Sequence, residues 1–413
     1  MRNILKDRRF FVFKAGSVGF VAIALALLCV FSCNNLLVLG GGSLVIAMPG
    51  TRAATASRFT IELTGTNGTT QSKTLAGGTT AQFDDLDPDT YSIVVKGMDA
   101  SGAVVFYGTS SATVTAGKTA SADVELMKGA SDYASLQSAV GAGGTVYIFE
   151  NIDVIGRLII NQDVTIRALN KDVTLNFTAN SGSLFTVQNS ATLTIGGGDY
   201  RLTVDGNGQN RQDNTLLQIK DGTVDLYGTI TNGISQTKAG GIEIEGSSSI
   251  LNIYDGAIVS KCECQNTWGR GGAIGVRNGG EMYMYGGKLT DNTADYGAAV
   301  YVNGGTFTMS GGTISGNTGN KNGSAVEVSG TFKMGGSAMF GSNDRVYLAN
   351  AETSRFIKVI SPLTGTGPVA TIISDRYSSG TIVLTAGAGV TLANEVGKFV
   401  LTSGTIKSDG TLQ

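Results

Sequence analysis

The 413-residue chain contains no histidine, only four prolines, four cysteines and a single tryptophan. The missing imidazole excludes histidine triads, histidine-ligated metals and histidine general bases. Four prolines beside 60 glycines do not make a proline-rich linker, and the glycines lack the strict spacing of collagen. The cysteines add little. Cys29 and Cys33 lie in and at the end of an N-terminal apolar run, which leaves Cys262 and Cys264. Side chains two apart on a strand share a face, a poor geometry for a mutual disulfide, so these two are expected as small inward hydrophobes. Basic runs are also missing. Beyond residue 32 the chain keeps 25 basic and 31 acidic side chains, a net charge of −6, which argues against nucleic acid as a partner. No glycine-rich phosphate loop follows a strand and opens a helix. No cofactor and no metal are expected.

What is present begins at the N-terminus. MRNILKDRRFFVFK carries five basic side chains and one acid and runs into AGSVGFVAIALALLCVFS. That is the order of charged and apolar regions in a bacterial export signal, residues 1–32. The run ends in Val30-Phe31-Ser32-Cys33, which resembles a relaxed lipobox, with Phe31 departing from the strict pattern. The resemblance implies lipidation of Cys33, with 33–40 as anchor and linker, at a bacterial outer membrane or cell surface. The alternative is an uncleaved anchor, because the apolar run is nearly long enough to span a bilayer. Both readings place the rest of the chain outside the cytoplasm.

The remaining residues are too many for one ordinary core, so two units are expected. Residues 41–127 hold six or seven short alternating segments, among them SLVIAMP, RFTIELTG and TYSIVVKGMDA, separated by Gly, Asn, Asp and Thr. They predict a small β-sandwich. Within it, Phe83, Leu86, Pro88, Tyr91, Ile93 and Val95 are spaced as in a turn followed by an alternating strand. This stretch resembles the prealbumin-like and collagen-adhesin B-type repeat domains, with Asp89 standing where glycine is usual. The unit reads as a spacer.

Residues 130–413 repeat. Met282, Phe307 and Phe332 are 25 apart, as are Met284, Met309 and Met334, while Ile274, Val300 and Val326 are 26 apart. Asn266, Asn292, Asn317 and Asn343 follow at intervals of 26, 25 and 26. Such a period signals a solenoid. Three short strands per period make each one a coil of a parallel β-helix, with coils stacked about 4.8 Å apart. Paired glycines suit the corners, and the Asn column suits a positive-φ turn whose amides form a ladder. The fold class is therefore all-β: a β-helix over 130–348 behind the β-sandwich, with 349–413 as irregular coils or a cap. SLQSAVGAGGTVYI (135–148) and LTVDGNG (202–208) resemble the right-handed, pectin-lyase-like β-helices, which implies a helix capping the first coil. The phrases GGAI (271–274), LTDN (289–292), ISGN (314–317) and FGSN (340–343) resemble the repeats of bacterial polymorphic-membrane-protein adhesins. The transmembrane barrel of autotransporter adhesins has no counterpart in the pattern.

Two groups are candidates for function. Leu226, Ile253 and Met284 point inward, so the next residues, Tyr227, Tyr254 and Tyr285, point outward in one column with Tyr283 alongside. This strip would offer sugar rings an aromatic platform, or it would merely brace neighbouring coils. Tyr301, Glu327 and Tyr347 form another column, expected as ordinary β surface. Asp199, Asp205 and Asp213 with Arg201 and Arg211 are the densest charged group, and the alternative to solvated turns is a lyase or hydrolase acting on polysaccharide. The expected function is adhesin-like binding of a glycan or a host or matrix protein, by a monomer without catalysis. A carbohydrate-active enzyme and a structural surface-layer protein are the alternatives.

Overall fold

The computed structural model describes residues 40–48, 56–212, 214–321, 323–349 and 355–413. Cys33, the export-signal segment and Asp213 lie outside the described residues. The chain is 52% strand and 4% helix, so it is all-β as its composition predicts.

The N-terminal unit packs two sheets around one core. Gly42–Ala47 lies between Thr80–Leu86 and Thr119–Asp123 in the first sheet. Arg58–Gly65, Thr70–Leu75, Asp89–Met98 and Val104–Val114 make an antiparallel second sheet. Alternation puts Leu44, Ile46, Phe59, Ile61, Leu63, Ile93 and Val95 into the core. The Tyr91 hydroxyl donates to the Asp87 carbonyl at 3.1 Å and so pins the turn before its own strand. Asp89 has its own work there: its carboxylate accepts from the Thr66 hydroxyl at 2.5 Å and the Thr66 N–H at 2.8 Å. Those bonds, the Thr66 hydroxyl first, hold its pKa below the usual carboxylate value.

Behind it runs a parallel β-solenoid of about 9 turns. One coil shows the pattern: a first wall at Ile242–Glu245, a second at Ser249–Ile253, a third at Ile258–Ser260 and a fourth at Glu263–Cys264. Strands of two residues form that fourth wall in five successive coils, where only three walls had been predicted. The predicted inward columns pair rung on rung, Ile274 with Val300 and Val326, Met282 with Phe307 and Phe332, Met284 with Met309 and Met334. Phe307 and Phe332 stack at 4.9 Å inside the rod. Beyond residue 349 the first two walls continue, through Ile357–Leu363, Ala370–Ser374, Leu384–Ala386 and Phe399–Leu401.

Helix α1, Tyr133–Gly141, covers the first coil with Leu136, Ala139 and Val140, and Asp132 caps it by accepting from the Ser135 N–H at 2.8 Å. A bare end would present unpaired strand edges. Between sandwich and solenoid, Met127–Ala130 pairs antiparallel with the strand holding Phe106 and Tyr107, and parallel with Gly144–Ile148.

The asparagine ladder is shorter than its spacing suggested, and differently built. The Asn292 amide donates to Asn317 Oδ1 at 2.9 Å, and the Asn317 amide to Asp344 Oδ1 at 2.8 Å. Asn292 Oδ1 in turn accepts the Cys262 N–H at 2.9 Å. Asn266 and Asn343 are exposed and take no part: Cys262 and Asp344 hold their expected places. The expected positive φ falls one residue earlier, at Lys261, Asp291 and Gly316. A glycine pair such as Gly311-Gly312 does turn a corner: Gly312 has φ +83°, and a β-carbon on Gly311 would collide with the Tyr285 carbonyl of the preceding coil. Cys262 and Cys264 are both free and buried but do not share a face. The chain turns between them, so Cys262 enters the main core and Cys264 packs with Ala294 and Ala298.

Asn317→Ala should lower unfolding stability by roughly 2–4 kcal/mol in urea titrations, because buried partners on both neighbouring coils lose their hydrogen bonds. Burial pushes the Cys262 thiol up to about 12 and raises Cys264 as well. Soluble residues 34–413 should therefore resist iodoacetamide at about pH 8 and be alkylated at both sites only on unfolding.

Candidate functional site

The tyrosine column exists, and its geometry changes its meaning. Tyr227 and Tyr254 stack with centroids 4.4 Å apart and planes 5° from parallel, and Tyr254 and Tyr285 follow at 5.4 Å and 23°. Tyr283 lies beside Tyr285 at 6.1 Å. Rings stacked along the rod axis cover one another's faces, so the column presents edges and hydroxyls to solvent rather than a flat platform. Tyr254, between two rings, is only half-buried, yet desolvation raises its pKa. The Tyr283 hydroxyl donates to Glu281 at 2.6 Å, which with burial pushes its pKa up to about 12. Asn252 donates to Asp225 at 2.8 Å on the same wall, so polar groups flank the aromatic column.

One end of the column opens into a cleft. The residues following the second wall read Gly196, Tyr227, Tyr254, Tyr285 and Ser310 in successive coils, so the aromatic stack ends at a glycine. Gly196 and Gly197 have φ +86° and +80° and carry no side chain to fill the space above Tyr227. The resulting cleft of about 400 Å³ is lined by Asp172, Gly196–Gly198, Asp199, Tyr200, Arg201, Tyr227 and Asp255. Tyr227 is 36% exposed there. Asp172 accepts the Arg201 N–H at 2.7 Å, which ties two successive coils together at the cleft. Part of the predicted charged group, Asp199 and Arg201, thus meets the predicted aromatic column at Tyr227.

Asp205 and Arg211 lie elsewhere. Asp205 braces turns, accepting from the Asn207 N–H at 2.7 Å and the Asn232 amide at 2.9 Å. Arg211 is buried, 1% exposed, where a solvated turn residue had been expected. Its guanidinium donates to the carbonyls of Phe177, Ala179, Gly206 and Gln209 at 2.8 to 3.1 Å and lies 4.5 Å from the centre of the Phe177 ring. Burial lowers its pKa to about 10, against the pull of Asp205, so it stays cationic at neutral pH. This arginine closes coils and belongs to no site. Among the described residues no group of three or more Asp, Glu or Cys could hold a metal ion.

The Tyr301 column is not ordinary surface. Turns between the fourth and first walls fold back over it, leaving Tyr301 2% and Glu327 3% exposed. Glu243 pairs with Arg277 one rung on, and Gly275 leaves the room that its carboxylate occupies. Arg277 lies 4.9 Å from the Tyr301 ring centre, and Arg270 donates to the Tyr301 hydroxyl at 3.3 Å while pairing with Glu327 at 3.8 Å. Reading one wall at a time missed this, because the covering residues come from the turns.

Comparison with protein-family models, curated proteins and solved structures returns no match for this chain.

Replacing Arg211 by Met should cost about 3 kcal/mol or more in denaturant unfolding, since four carbonyl acceptors lose their donor. Tyr254→Ala should cost about 1–2 kcal/mol, the worth of its two ring contacts.

Proposed function

We propose that the chain is a lipid-anchored, cell-surface glycan-binding protein of adhesin type, and that the cleft beside Tyr227 is where the glycan sits. The observation that carries this is the junction of an aromatic column's free end with a polar, glycine-floored cleft. Sugar rings pack their C–H faces on aromatics and use their hydroxyls for hydrogen bonds, and a cleft of this make-up supplies both. Three aspartates and one arginine line the cleft, so neutral or amino-bearing sugars suit it better than polyuronates. The lipobox-like Val30–Cys33 segment and the adhesin-like repeat phrases support a place on the bacterial outer surface.

The second reading, a polysaccharide lyase or hydrolase, draws on the same place, because Asp172, Asp199 and Asp255 are carboxylates beside the aromatic. Soluble residues 34–413 should be incubated with immobilised neutral, amino and uronate polysaccharides, scoring both retention and polymer length. Retention without shortening, weakened about tenfold by Tyr227→Ala but little by Tyr254→Ala, is expected. Shortened polymer would instead make Asp199 and its neighbours catalytic.

A further inference from the structure

Trp268, the only tryptophan of the chain, lies in the turn Cys264–Gly272, which leads from the fourth wall to the first wall of the next coil. Its backbone has φ +77°, a conformation that a bulky side chain rarely adopts. The turn is nonetheless held. The Trp268 N–H donates to Asp295 at 3.0 Å, and Gly269 and Gly271 exchange backbone hydrogen bonds with Tyr296 at 3.0 Å. These bonds set the indole parallel to the Tyr296 ring, with centroids 6.0 Å apart and planes 4° from parallel. Arg270 lies 5.6 Å from the Tyr296 ring centre, so the tyrosine is fixed from a second direction. The indole itself remains 64% exposed.

A scattered exposed aromatic needs no explanation by itself. This one is held rigidly in an unfavourable backbone conformation, and its neighbours are polar: Gln265, Asn266, Thr267 and Arg270 are exposed around it. An apolar protein interface would surround the indole with further exposed hydrophobics, and this turn has none. Amides, a hydroxyl and a guanidinium around one flat ring are what a sugar residue requires. Both nearby arginines are matched, Arg270 with Glu327 and Arg277 with Glu243, and the Asp295 carboxylate is engaged by the Trp268 N–H, so the site favours an uncharged ligand.

We infer that Trp268, supported by Tyr296, is a second carbohydrate-binding platform, selective for neutral pyranose oligosaccharides. It supplies a second exposed aromatic surface, apart from the one that Tyr227 offers at the end of its column. Tyr254 belongs to the same coil but follows the second wall, whereas Trp268 follows the fourth, so the two surfaces occupy different corners of the rod. The platform stands independently of the cleft beside Tyr227.

Because Trp268 is the sole tryptophan, its fluorescence reports this site alone. Hexasaccharides of β-1,4-linked glucose and of N-acetylglucosamine should be titrated into soluble residues 34–413. A saturable intensity change is expected with at least one of them, and it should persist in Tyr227→Ala, which separates this platform from the cleft. Trp268→Gly suits the positive φ and should keep or raise the melting temperature, while calorimetric affinity for the same sugar, measured in the Tyr227→Ala background so that the cleft does not contribute, falls about tenfold. The platform would be overturned by no fluorescence change at millimolar sugar, by a change that Tyr227→Ala abolishes, or by affinity left intact when Trp268→Gly is added to Tyr227→Ala.

Discussion

Parallel hydrogen bonding between coils governs this molecule. Each rung repeats the previous one at about 4.8 Å, so every side chain lies over its counterpart and must tolerate it. Apolar residues do so inside the rod, where Phe307 and Phe332 stack. Amides do so at the third corner, where Asn292 and Asn317 each give and accept. Charges do so only with help: Glu243 and Glu327 share a column but are separated by Gly275 and Tyr301, and each has an arginine partner. The same constraint stacks Tyr227, Tyr254 and Tyr285 and thereby covers both faces of the middle ring.

Legibility in the sequence followed from this constraint. Columns of long side chains, such as Met284 over Met309 and Met334, repeat in the primary structure because they repeat in space, so the solenoid and the tyrosine column were readable. The fourth wall was not, since strands of two residues carry no alternation. The ladder's ends failed because spacing counts letters while hydrogen bonding counts atoms: Asp344 accepts as asparagine would, and Asn343 beside it points to solvent. Arg211 looked like a loop charge because two of its carbonyl acceptors, Phe177 and Ala179, lie 34 and 32 residues away on the preceding coil. The cleft beside Tyr227 was legible in its parts, Asp199, Arg201 and Tyr227, but not in their meeting, which depends on glycines that leave space.

The two aromatic features answer different demands. The tyrosine column follows from regular stacking, and its only distinctive point is where it stops, at Gly196. Trp268 breaks regularity, sitting in an irregular turn with a positive φ that several hydrogen bonds hold in place. Regular positions on a solenoid tend to brace it, and ligand-facing geometry appears where the repeat is interrupted.

Met127–Ala130 has a mechanical consequence. This strand is bonded to the sandwich on one edge and to the first coil on the other, with Tyr107 and Phe149 in ring contact across the junction at 5.3 Å. A pull or torque entering from the N-terminal side would meet a continuous sheet instead of a slack tether. The coils would then swing with the sandwich as one lever, and drag on the far end would be felt at the base as leverage.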